Sequence, residues 1–167
     1  ERSPDELGNL FEIVRDRVEI LGGDQGNDEN GRRVRAVGRL DLLPEDLRLK
    51  IEDVEQQTRS SGPGTLNIAV AYGGRDEILD AFRQMLLARS SAGESAAKIA
   101  EQLTEDDLEP YLYAPDVPPP DLIIRTSGEV RLSGFLMWQS VYSELHFCDV
   151  TWPAFRKIDF LRAIRSF

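Results

Sequence analysis

Arg125 and Arg131 are the residues of this chain best placed to do chemistry. They lie in the segment Asp121-Leu-Ile-Ile-Arg125-Thr-Ser-Gly128-Glu129-Val-Arg131-Leu132-Ser133-Gly-Phe135. Residues 122–124 form a short apolar run, as expected of a buried strand that delivers Arg125 to its carboxyl end. Gly128 marks a turn, and Arg131 and Ser133 return within a few residues. Two guanidinium groups, two hydroxyl side chains and the turn amides then converge on one anion, the arrangement with which proteins hold phosphate. Spacing leaves a second arrangement open, in which both arginines pair with Asp121, Glu129 or Glu144 in a structural ion network.

Other routes to chemistry are few. With one cysteine (Cys148) and one histidine (His146), the chain cannot form an internal disulfide or a Cys/His zinc site. His146 stands between Leu145 and Phe147 and reads as a structural or surface residue rather than a base. Gly73-Gly74-Arg75 lacks both common glycine-rich phosphate-loop patterns and reads as a tight strand-to-helix turn. Trp138 and Trp152 read as core or subunit interface, and Cys148 as an inert buried thiol.

The 167 residues predict one domain, 41% hydrophobic and 30% charged, with no apolar run long enough to span a bilayer. The formal charge of -10 argues against nucleic acid as a partner. Seventeen of the 20 basic residues are arginine, a bias that suits oxyanion recognition and that a GC-rich genome produces equally.

The elements that must position the arginines alternate between strand and helix. Ser3, Pro4 and Glu6 open a helix whose apolar stripe is Leu7, Leu10, Phe11, Val14, Val18 and Leu21. Residues 22–31 are glycine-rich and acidic and read as a surface loop. A strand over 34–37 leads to a helix opened by Pro44, with Leu47, Ile51 and Val54 inward. Residues 66–72 are apolar at nearly every position, as for a strand buried on both faces of a parallel sheet. Next comes a helix with Ile78, Phe82, Met85 and Leu86 inward, then a short helix near 96–103, a cap at Thr104 and Asp107, and a proline-rich connector over 115–120. The chain ends on a helix carrying Phe160, Leu161, Ile164 and Phe167. Such alternation predicts an α/β fold with a central, mostly parallel sheet flanked by helices and ligands at the strands' carboxyl ends.

One string carries a resemblance. Ile124, Arg125, Glu129, Arg131, Ser133, Phe135, Trp138, Gln139, Tyr142, Glu144 and Phe147 fill a pattern similar to the C-terminal signature of cis-prenyltransferases, the undecaprenyl and dehydrodolichyl diphosphate synthases. Tyr72-Gly-Gly-Arg75-Asp-Glu-Ile78 resembles that family's Y-G-G-R segment, and Arg2-Ser-Pro resembles the link after its amino-terminal substrate-binding stretch. The resemblance implies condensation of isopentenyl diphosphate with an allylic diphosphate such as farnesyl diphosphate, forming a cis double bond and releasing pyrophosphate. It places Arg125, Arg131, Leu132 and Ser133 on the diphosphate of isopentenyl diphosphate, supported by Gly128, Glu129 and Arg75. It places Arg2 on the allylic diphosphate and Glu144 at a magnesium position, and gives the prenyl tail an apolar cleft between helices and sheet.

The resemblance also implies a homodimer, here expected through the aromatic-rich stretch 135–155, with peripheral membrane association and a location in the cytoplasm or on the cytosolic face of a membrane, the endoplasmic reticulum in a eukaryote. The acidic 22–31 segment inclines the product toward dolichol rather than the cell wall. Two family segments, H-x-M-D-G-N-x-R with its aspartate and F-S-x-x-N-[WF], are not in this sequence. The expectation is that this polypeptide does not turn over by itself, and condensing activity from the purified chain would refute it. A non-catalytic scaffold subunit is the competing reading. Such subunits are expected to have lost the arginine cluster, which here is intact.

Overall fold

The computed structural model describes residues 4–22 and 31–167; Arg2, the cap expected at Ser3 and residues 23–30 lie outside the described residues. In chain order the elements are α1 (Pro4–Gly22), β1 (Arg33–Val37), α2 (Glu45–Gln57), β2 (Thr65–Ala69), α3 (Gly74–Ser91), α4 (Ala96–Gln102), β3 (Leu122–Arg125), β4 (Glu144–Phe147) and α5 (Lys157–Ser166). They form two compact units, residues 1–72 and 73–167. Among the described residues each unit holds one two-stranded parallel sheet, so these strands are parallel as expected.

In the first unit β1 pairs with β2 from Arg33 opposite Thr65 to Val37 opposite Ala69. Leu47, Ile51 and Val54 of α2 are buried with Val18 of α1 and Val34 of β1, which is the stripe their spacing predicts. β2 is less buried than its apolar sequence suggests: Leu66 and Ile68 are only half-covered, because a sheet of two strands leaves part of each face open. The edge of β1 away from β2 is closed by α2. The Val34 N–H donates to the Thr58 hydroxyl at 3.0 Å, and the Ala36 N–H to Glu55 Oε1 at 2.6 Å. Thr58 is fully buried and passes its own hydrogen to the Val54 carbonyl at 2.8 Å. Thr58→Val keeps the volume but strands the Val34 N–H, so a loss of about 1–2 kcal/mol is expected as a lower urea midpoint at unchanged m-value. Past β1, Gly38 sits at φ +123°, where a Cβ would meet the Val70 carbonyl oxygen at 2.2 Å.

In the second unit Met85, Ile99 and Leu108 form a core against which Leu86, Tyr111 and Trp138 pack. The buried stripe of α3 is Gly74, Glu77, Ala81 and Met85. It is rotated from the expected Ile78, Phe82, Met85 and Leu86, because the burial of Glu77 and Ala81 turns Phe82 toward solvent. In α5 the buried pair is Asp159 and Ala163, while Phe160, Leu161, Ile164 and Phe167 are exposed.

A charge cluster ties the end of α3 to the residues on either side of α4. Arg89 pairs with Glu94 at 2.9 Å and with Asp107 at 3.5 Å. The hydrogen bond and charge of Arg89 hold the Glu94 carboxyl below its ordinary value. Asp107 is held low first by the Thr104 backbone N–H and hydroxyl, in the capping box the sequence predicts, and then by Arg89. Carboxyls depressed in the folded state contribute stability that is present above their ordinary values and is lost as pH falls through the folded ones. Thermal unfolding should therefore hold its midpoint down to the ordinary Glu94 value of 4.5 and decline below it. Arg89→Leu should flatten that acid limb.

Candidate functional site

β3 brings Arg125 to its carboxyl end, with the side chain 18% exposed. The chain then turns through Ser127 at φ +74° and Gly128 at φ +67°. Their N–H groups donate to the carbonyls of Val150 at 2.8 Å and Cys148 at 3.0 Å, so the turn is laced to the segment that continues β4. A left-handed conformation costs a non-glycine residue about 1–2 kcal/mol, and Leu136, at φ +49°, adopts it again a few residues on. Backbone strain of this kind collects at ligand sites.

The turn returns Arg131 to Arg125, and both side chains meet on Glu129. The Arg131 Nε and Nη2 donate to the two carboxylate oxygens at 3.2 and 2.9 Å, and Arg125 Nη2 donates to the same carboxylate. Arg125 Nη1 also donates to the Arg131 carbonyl at 2.5 Å, which fixes the second arginine's backbone to the first arginine's side chain. Of the three acidic residues that spacing left open, Glu129 is therefore the partner. The Arg125 hydrogen bond, then the Arg131 charge, hold its carboxyl below the usual value. Arg131 is 72% exposed, Leu132 and Ser133 are exposed beside it, and the Ser133 hydroxyl accepts from the Phe135 N–H at 3.2 Å.

The amino terminus of α3 abuts this loop. A Cβ on Gly74 would lie 2.0 Å from the Gly134 carbonyl oxygen and 3.1 Å from Met137 Cβ, so the glycine pair is a tight turn that permits close approach, as expected. Arg75 is exposed in the first turn and has no ion-pair partner among the described residues. One residue of this region escaped sequence reasoning. Glu77 is 1% exposed and accepts from the Tyr113 N–H at 3.0 Å and from Gln139 Nε2 at 3.1 Å, joining α3 to the Trp138-Gln139 segment. Its spacing of four and eight residues from Ala81 and Met85 was the available signal.

Glu144 is not brought to the arginines. It opens β4 opposite Leu122, whereas Arg125 lies opposite Phe147, three ladder steps or roughly 10 Å further along the strands. No cluster of three or more His, Cys, Asp or Glu side chains suited to a metal exists among the described residues. His146 Nδ1 contacts the Ser166 hydroxyl at 2.8 Å. Burial pushes the Cys148 thiol up, in keeping with an inert group. Trp138 packs on the core, and Trp152, largely exposed, stacks on Phe155 at 5.4 Å.

A parallel α/β chain with paired arginines and a serine at a strand's carboxyl end has the donor set with which proteins can hold a phosphate-like oxyanion. A family model, Prenyltransf, described as "Putative undecaprenyl diphosphate synthase", matches residues 1–167. The chain is 46% identical over 166 residues to isoprenyl transferase 1 of Corynebacterium diphtheriae, covering 99% of this chain and 61% of that protein. It is 50% identical over 167 residues to a (2Z,6E)-farnesyl diphosphate synthase of Thermobifida fusca, covering 99% and 63%. The crystal structure of lavandulyl diphosphate synthase from Lavandula x intermedia with dimethylallyl diphosphate superposes with a TM-score of 0.88 at 30% identity, covering 99% of this chain and 70% of that one. The chain belongs to the cis-prenyltransferase family, and it spans somewhat over three fifths of the curated relatives' length.

Proposed function

We propose that this chain supplies the isopentenyl diphosphate site of a cis-prenyltransferase. The observation that carries the reading is the convergence of Arg125 and Arg131 beside Ser133 at the end of β3, within the family's signature string. In the reaction a carbon–carbon bond forms between the two prenyl units and the allylic carbon–oxygen bond breaks. Pyrophosphate leaves, and a proton is lost as the new cis double bond forms. Arg125, Arg131 and Ser133 hold the diphosphate of isopentenyl diphosphate and keep its carbon end oriented toward the allylic unit. Guanidinium donors already engaged with the diphosphate need no further reorganisation during the reaction. Arg2, proposed for the allylic diphosphate, lies outside the described residues.

Magnesium at Glu144 follows from the family signature; Glu144 opens β4, three ladder steps from Arg125, and among the described residues it belongs to no cluster of three metal-binding side chains. A homodimer through residues 135–155 is supported by the exposure of Val141, Tyr142 and Trp152, at 70%, 97% and 70%, the first two lining a cleft of about 690 Å3 with Pro118, Pro119 and Trp138. Size-exclusion chromatography showing only monomer at high concentration would count against it. Peripheral membrane association and a cytosolic location are proposed from the chemistry of a polyprenyl product; among the described residues no helix is long and apolar enough to cross a membrane. The dolichol assignment rests on the acidic 22–31 segment alone.

The test is incorporation of labelled isopentenyl diphosphate onto farnesyl diphosphate by a polypeptide joining this chain to the family's amino-terminal aspartate segment. A product with a new cis double bond is expected. A trans product, or no incorporation by a folded protein, overturns the assignment.

A further inference from the structure

We infer that Glu129 is a built-in counter-anion that sets the charge selectivity of the arginine site, admitting diphosphates and turning away singly charged anions. The inference rests on the proposed diphosphate site and adds a role for the one acidic side chain within it.

The geometry is that of an anion already bound. Both Glu129 oxygens receive N–H donors from Arg131, and Arg125 donates to the same carboxylate. The donors a diphosphate needs are thus engaged by a tethered carboxylate that is 44% exposed. Counting formal charges, two guanidinium groups and one carboxylate leave a site of net charge +1. An incoming monoanion offers the arginines no more charge than Glu129 does, and it must displace a group held at high effective concentration by the chain itself. A diphosphate carries several charged oxygens, so it can span both guanidinium forks and offset the displacement. A carboxylate also keeps the two arginines from repelling each other while the site is empty, so it serves as positioning residue and filter together.

The structure locates the exchange. Arg125 is 18% exposed and keeps a second bond to the Arg131 carbonyl, so it holds its place when the carboxylate leaves. Arg131 is 72% exposed and Glu129 is its only ion-pair partner among the described residues, so Arg131 and Glu129 are the groups that move.

Isothermal titration of the chain with inorganic pyrophosphate and, separately, with nitrate and chloride tests this, using wild type, Glu129→Gln and Arg125→Gln. Glutamine preserves shape while removing the charge, and circular dichroism establishes that each variant is folded. Glu129→Gln should bind pyrophosphate roughly tenfold more tightly, and it should gain more for nitrate and chloride than for pyrophosphate, so that discrimination shrinks. Weaker or unchanged pyrophosphate binding in Glu129→Gln, with binding that still depends on Arg125, overturns the counter-anion role and leaves the diphosphate site standing. Pyrophosphate binding that is absent from wild type and from Glu129→Gln, or indifferent to Arg125→Gln, overturns the diphosphate site itself. In wild type, the Arg131 side-chain Nε–H resonance should shift during the pyrophosphate titration. A resonance that stays fixed at saturation overturns the displacement even where Glu129→Gln fails to fold.

Discussion

Arg125→Ala is expected to raise the KM for isopentenyl diphosphate at least thirtyfold in the assembled enzyme, a loss of roughly 2 kcal/mol or more. In the proposed site the side chain gives the diphosphate a charged donor, and in the structure it binds the Arg131 carbonyl, so its removal takes away one proposed ligand and loosens the backbone that carries the other. Arg131→Ala should cost less, because Arg131 is exposed and its one loop partner, the Glu129 carboxylate, is also held by Arg125. The order of the two effects separates this structure from one in which the arginines act as equal and independent charges. Arg125→Lys is also expected to fail, since a single ammonium cannot reach a diphosphate and the Arg131 carbonyl with a planar fork's geometry. Unchanged kinetics in both alanine variants would sink the assignment, and equal losses would sink the hierarchy.

Glu77→Ala is expected to be more destabilising than Thr58→Val, by about 3 kcal/mol relative to wild type in chemical denaturation. The carboxylate is 1% exposed, and removing it strands the Tyr113 N–H and the Gln139 amide in a place water cannot easily reach. It also opens a void between α3 and the Trp138-Gln139 segment that follows the arginine loop. Glu77→Gln tests the charge alone: the amide keeps one acceptor oxygen, and a loss near half that of alanine is expected. A variant as stable as wild type would show that Glu77 does not join these segments in solution.

The sequence made the helices legible where their apolar stripes were unmixed. Leu47, Ile51 and Val54 of α2 turn inward as their spacing requires. In α3 the inward stripe was hidden, because a buried glutamate looks like a surface residue until its partners, 36 and 62 positions away, are known. The arginine pair was legible from a strand, a turn and a return, yet three acidic residues could equally have been its partner. Only the turn geometry at Ser127 and Gly128 selects Glu129. For Glu144 the string carried no position along the strand. A match along the chain does not say which end of a parallel strand a residue occupies, and the ladder puts Glu144 at the start of β4. Depth of strand burial was not legible either, since apolar content reports what a residue prefers and not how many strands lie beside it.

The closed edge of β1 gives the first sheet a direction of growth. Two of that strand's outward amides are taken by Thr58 and Glu55 of the adjoining helix end, so another strand docking there would first have to break both bonds. Along β2 no such stopper is present among the described hydrogen bonds, and Asn67 in the middle of that strand keeps a buried side-chain oxygen without a partner among the described residues. The sheet is one-sided: it resists unplanned pairing along β1 and directs any legitimate neighbour to β2.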